Sequence, residues 1–189
     1  HPVTSAYLHV YQKHGLVSDK TVLAHGVHMS ANMCKRISVA GASISLCPTS
    51  NMFIGSGLFN LARLRRHKVK HGLGTDIGGG TSFSLLQTMN AAYSVCQLRD
   101  LSLSSLDAFY MATLGAAKVL GMDGYVGNFA AGKEADFIVL DLKATPLIER
   151  RLSTTQRLKA MLFAIMIMGD DRMINETFVM GKSVYTKSN

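Results

Sequence analysis

Residues 71–80 read His71-Gly72-Leu73-Gly74-Thr75-Asp76-Ile77-Gly78-Gly79-Gly80, and this stretch decides the fold. A short apolar run, Val69 with Leu73, gives way to Gly74-Thr75-Asp76 and three glycines; Ser82 or Ser84 then opens a long apolar-periodic segment. That order is the pattern of a buried strand delivering one carboxylate to a loop ahead of a helix. Working outward, the same grammar occurs twice upstream. Thr21-Val22-Leu23-Ala24 runs into His25-Gly26-Val27-His28, and Ala42-Ser43-Ile44-Ser45-Leu46 runs into Cys47-Pro48-Thr49-Ser50-Asn51. Three strand ends that each carry polar residues point to one shared pocket.

Around these ends the periodicity predicts a helix over 4–14, where Ala6, Tyr7, Val10 and Tyr11 share a face, and strands over 20–24, 42–46 and 69–73. Helices are expected over 30–39, with Ser30 as N-cap and Gly41 as stop, and over 58–66, 82–98 and 104–120. A Gly-containing loop is expected after the second strand. Alternating strands and helices form parallel βα units, and right-handed crossovers bring the strand C-terminal ends to one rim. His25, Asn51 and Asp76 are thereby expected around one mouth. After Gly121 the pattern changes to turns over 127–133 and a strand over 135–140. A helix over 154–168 and a hairpin over 176–185, turning at Met180-Gly181-Lys182, complete the chain.

The 189 residues are 48% hydrophobic and 17% charged, enough apolar content for a core and too much for disorder. A complete (β/α)8 barrel needs roughly 250 residues, and only about three strand–helix units fit before residue 121. The fold expected is therefore α/β: part of a TIM barrel over 1–121 and a separate tail over 122–189. The opening segment is polar and mixed, unlike a signal peptide. No run reaches the ~18 apolar residues of a membrane span; the most apolar, Met161 to Met168, is too short. Cys34, Cys47 and Cys96 are widely spaced and odd in number, which fits buried reduced thiols in a cytoplasmic protein. The net charge of +8 is densest over Arg63 to His71. Without aromatic or Gly-rich interleaving, that run is read as an exposed helix end leading into a strand, with no nucleic-acid partner.

Three segments, AHGVHMS (24–30), SLCPTSNMFIGSGLFN (45–60) and GLGTDIGGGTSFSLLQTMNAAY (72–93), together resemble the C-terminal half of the bacterial guanine deaminases. These belong to the zinc-dependent amidohydrolase superfamily. The resemblance continues through ATLGAAKVLGMDGYVGNFAAGKEADFIVLD (112–141) to MGDDRMINETFVMGKSVYTKSN (168–189). It implies the last three strand–helix units of the barrel, followed by strands of a small β-sandwich. It also implies a homodimer that hydrolyses guanine to xanthine and ammonia. Another aminohydrolase of the superfamily, or a catalytically dead module that folds only with partner chains, stands as the alternative.

The same resemblance makes Asp76 a zinc ligand that contacts substrate and takes a proton from the activated water. A carboxylate suits both tasks, as a hard oxygen donor and a proton acceptor. His25 becomes the catalytic histidine beside that water, a role for which imidazole is suited as a proton carrier near neutral pH. His28 is assigned to the same loop or the surface. Ser50 or Asn51 is expected to hold the loop by side-chain hydrogen bonds. Gly78-Gly79-Gly80 lacks the Gly-Lys-Ser/Thr ending of a phosphate loop, and no His-x-Glu with Pro-Cys-x-x-Cys is present for cytidine-deaminase chemistry. The family's His-x-His zinc pair is also absent from these residues. One protein ligand cannot hold a catalytic zinc, so the 189 residues alone are expected to be zinc-free and inactive.

Overall fold

The computed structural model describes residues 7–188 and contains two sheets and nine α-helices among them. The first sheet is built from β1 (Val22–Ala24), β2 (Ser43–Leu46) and β3 (Lys70–Leu73), in that order and wholly parallel. Ala24 pairs with Ser45, and Leu46 with Leu73, so the three strands end at one level. Ile44 and Leu46 are fully buried, as expected for a strand covered on both faces. The crossover from β1 to β2 is α2 (Ala31–Val39), whose N-cap Ser30 accepts a hydrogen bond from the Met33 amide.

Two helices connect β2 to β3: α3 (Pro48–Phe53) and α4 (Leu61–Arg66). The sequence had suggested a loop where α3 stands. Pro48 occupies its first turn, where its missing N–H costs nothing. After β3 come α5 (Leu85–Gln97), α6 (Ser105–Ala112) and α7 (Leu114–Leu120). One continuous helix was expected over 104–120, but the chain breaks at Thr113, whose backbone sits at φ −126°, ψ −101°. The break follows from packing. Gly115 closes on Tyr110, where a Cβ would come within 2.8 Å of the Tyr110 carbonyl, and α7 then lies directly against β3. There a Cβ on Gly72 would meet Ala116 Cα at 2.8 Å.

The second sheet is antiparallel: β4 (Phe137–Leu140), β5 (Ile174–Val179) and β6 (Lys182–Thr186). Met180 and Gly181, at φ +50° and +74°, form the two-residue hairpin turn, and Asp136 Oδ1 accepts from the Met180 amide at 2.7 Å. Phe137 stacks on Phe178 with centroids 4.4 Å apart. Between β4 and β5 lie α8 (Pro146–Ser153), which the sequence reading had left out, and α9 (Leu158–Met168), which starts later than expected. Thr145 caps α8 with Pro146 at its start, a signal hidden in a charged segment. The first helix, α1, spans Tyr7–Lys13. Residues 4–6 of the expected helix, with Ala6, lie outside the described residues.

The core runs from β2 and β3 through Leu86, Met89 and Val95 of α5 and Met111 of α6 to Ile165 and Met166 of α9. Two side-chain bonds fasten α9 to it. Asn90 Nδ2 donates to the Ile167 carbonyl at 2.6 Å, and Ser105 Oγ donates to the Lys159 carbonyl at 3.0 Å. The result is an α/β fold with one parallel and one antiparallel sheet, and the parallel sheet aims three strand ends the same way.

Candidate functional site

The ladder of the parallel sheet continues one residue beyond its strands. The His25 amide donates to the Ser45 carbonyl at 2.8 Å, and the Gly74 amide to the Leu46 carbonyl at 2.9 Å. Immediately past these bonds the backbone turns. His25 (φ +70°) and Asp76 (φ +51°) both occupy the left-handed region. For residues with a Cβ this costs on the order of 1–3 kcal/mol each. The turn is what swings both side chains over the strand ends.

There His25 Nε2 faces Asp76 Oδ2 at 3.9 Å, with the two side chains 40% and 37% exposed on an open face. The other ring nitrogen, Nδ1, bonds Asn51 Oδ1 at 2.8 Å. In the tautomer with the proton on Nδ1, that nitrogen donates to the Asn51 amide oxygen and Nε2 is the ring atom left facing Asp76. Asn51 itself is buried in α3, and its Nδ2 and the Ser50 Oγ have no hydrogen-bond partner among the described residues. Thr49 Oγ1 donates to the Thr75 carbonyl at 3.3 Å and ties α3 to the Asp76 loop. Gly79 closes over the same spot: a Cβ there would lie 2.7 Å from Ser50 Oγ and 3.3 Å from Asp76 Oδ2.

The sequence reading thus named His25, Asn51 and Asp76 as neighbours, and the structure brings all three together. His28 is exposed in the loop after β1. The sequence marks Cys47 only as a buried thiol. Its Sγ, one His25 nitrogen and one Asp76 oxygen lie within 4.8 Å of one another, the single such donor group among the described residues. Burial raises the Cys47 pKa, a hydrogen bond from the Ser45 side chain opposes this, and the Asp76 charge adds to the rise. Its proton points at the Ser45 carbonyl, 3.6 Å away. The signal that could have found it is the register itself, since Cys47 directly follows β2 as His25 follows β1.

A divalent cation is the group this donor chemistry suits. Asp76 offers a hard oxygen on the open face, and His25 Nε2 is a ring nitrogen beside it. A catalytic zinc takes three protein ligands and an open position, so Asp76 fits as one member of a larger ligand set. The buried neutral thiol is a poorer ligand, because only the thiolate binds metal well.

Comparison with known proteins extends this geometry. The amidohydrolase family model matches residues 3–184. The chain is 49% identical over 188 residues to the guanine deaminase of Escherichia coli strain K12, covering 100% of this chain and 43% of that protein. The solved structure of E. coli guanine deaminase superposes with a TM-score of 0.96, covering 99% of this chain and 44% of that one. Guanine deaminase from Bradyrhizobium japonicum is 40% identical at a TM-score of 0.91, covering 100% and 47%. Guanine deaminase from C. acetobutylicum, solved with guanine in its active site, is 28% identical at a TM-score of 0.85, covering 98% and 44%. The chain spans less than half the length of these relatives.

Proposed function

The chain belongs to the amidohydrolase family, and from that premise we propose that it is the C-terminal half of a guanine deaminase. The observation that carries this is the His25–Asp76 pair at adjoining strand ends, 3.9 Å apart and steered by Asn51. The substrate rests on the 49% identity to a guanine deaminase along the whole chain. Residues 1–121 would be the last three strand–helix units of a (β/α)8 barrel, and 122–189 the tail that supplies strands to a small β-sandwich. The exposed β6 supports the latter, since a sheet with so little covered surface calls for a second layer.

The reaction adds water to the guanine carbon bearing the exocyclic amine and expels ammonia, leaving xanthine. Asp76 is the zinc ligand on this chain. Zinc, when bound, acts as a Lewis acid that makes water acidic enough to attack near neutral pH. A 3.9 Å gap between Nε2 and Oδ2 admits one water oxygen within hydrogen-bond reach of both. Asp76 accepts the water proton as the oxygen adds to carbon. His25, held by Asn51, orients the attacking oxygen, and the amine leaves as ammonia after receiving a proton. The remaining zinc ligands and the guanine-gripping groups would come from the other half of the enzyme. These 189 residues alone are expected neither to retain zinc nor to turn over guanine. Homodimerisation and a cytoplasmic setting follow from the family resemblance; among the described residues no helix is long and apolar enough to cross a membrane.

The test is xanthine formation from guanine by the enzyme carrying this chain, with and without Asp76→Asn. Turnover that Asp76→Asn abolishes, together with loss of zinc by elemental analysis, is the expected result. Turnover of other aminopurines or triazines in preference to guanine would overturn the substrate assignment, and full activity in Asp76→Asn would overturn the site.

A further inference from the structure

A cavity of about 440 Å³ opens between α6 and the segment joining α8 to α9, away from the strand ends. Its volume lies within the range of small-molecule sites. Three cationic side chains line it: Arg151 near the end of α8, Arg157 at the cap of α9 and Lys159 in its first turn. No acidic residue lines it, and none of the three cations is in an ion pair among the described residues. Arg151 donates only to Thr155 Oγ1, at 2.8 Å.

Hydroxyl side chains line the same cavity. Ser105 Oγ spends its proton on the Lys159 carbonyl and so fixes the two helix starts side by side. Ser104 Oγ accepts from the Asp107 amide and keeps its own proton free to donate, and Ser102 is exposed at the rim. The floor is aromatic: Tyr93 and Phe163 meet edge to face with centroids 5.4 Å apart, both half-buried. Uncompensated cations that converge with hydroxyl donors suit a phosphate, and a ring pair beside them suits a flat base.

We propose that this cavity binds a nucleoside monophosphate, with the phosphate among Arg157, Lys159 and the Ser102 and Ser104 hydroxyls and the base against Tyr93 and Phe163. Aromatic faces without base-edge partners accept different bases, so GMP and AMP bind within about threefold of each other. The site does not depend on the deaminase assignment, because its readout is binding and not turnover.

Isothermal titration of the purified protein at low salt with GMP, AMP, inorganic phosphate and guanosine tests this directly. GMP and AMP are expected to bind at least tenfold tighter than inorganic phosphate or guanosine. The double variant Arg157→Glu, Lys159→Glu alters only exposed side chains and is expected to weaken GMP binding about a hundredfold, while Asp76→Asn leaves it unchanged. Circular dichroism confirms that the charge-reversed protein remains folded. Absence of GMP binding, equal binding of guanosine or bare phosphate, or GMP binding lost in Asp76→Asn but kept in the double variant would each overturn the proposal.

Discussion

Replacing Gly79 by alanine tests the contact that closes the site. The new methyl carbon would stand 2.7 Å from Ser50 Oγ, about 0.5 Å inside ordinary carbon–oxygen contact, and 3.3 Å from Asp76 Oδ2. Ser50 is fully buried, so its hydroxyl has nowhere to swing without disturbing α3. Overpacking of this size costs about 1–2 kcal/mol, against which the stiffer unfolded chain returns roughly 0.4–1 kcal/mol. Gly79→Ala is therefore expected to lose about 1 kcal/mol, or about 2–4 °C in Tm for a chain of this size. Ser50→Ala removes a hydroxyl that has no hydrogen-bond partner, and in a helix, so it is expected to be neutral or slightly stabilising. In the double variant the 2.7 Å clash with the hydroxyl is relieved, the milder 3.3 Å approach to Asp76 Oδ2 stays, and the entropic gain remains. Its stability should equal or exceed that of the parent, a coupling of about 1 kcal/mol by urea denaturation of all four proteins. If the two substitutions simply add, within about 0.3–0.5 kcal/mol, the Ser50 hydroxyl is not what limits the approach of the glycine loop.

Asn51→Leu removes the acceptor that holds His25 Nδ1; guanine turnover by the enzyme carrying this chain should fall on the order of tenfold in kcat with KM little changed, as measured by xanthine formation. Gly72→Ala forces β3 from α7, because the obstacle is Ala116 backbone and not a movable side chain, and should cost about 1–3 kcal/mol in urea melts. Burial pushes the Cys96 thiol from 9.0 up to about 11, with Arg65 opposing the shift. The folded state thus resists forming the thiolate: its advantage is whole below pH 9.0 and is lost as pH rises toward 11. Stability should fall across that window by about 2–3 kcal/mol, and Cys96→Ala should flatten the decline in pH-dependent unfolding.

The parallel half of the fold was legible because its strands are short apolar runs that each end in polar residues. Once Val22–Ala24 and Lys70–Leu73 are read as strands, His25 and Asp76 must share a rim. What escaped depends on distant packing. Gly115 is the one local hint of a break in Thr113-Leu114-Gly115, since it closes on Tyr110; the close approach of Ala116 in α7 to Gly72 of β3 cannot be read from the segment itself. The helix at Pro48–Phe53 was concealed because proline marks turns and helix starts equally well. Cys47 entered the donor group only through the pairing of Ala24 with Ser45 and Leu46 with Leu73, a register that no single segment encodes.

The amides of His25 and Gly74 are pinned to carbonyls of β2, so the proposed site residues hang from the last rungs of the sheet. Exchange of those two amide protons with deuterated solvent then requires the strands themselves to part. Their protection should match that of the interior amides of β2 instead of that of the surrounding loops. The rim that carries His25 and Asp76 inherits the persistence of the sheet, and any lesion that frays β2 against its neighbours displaces both side chains in the same event.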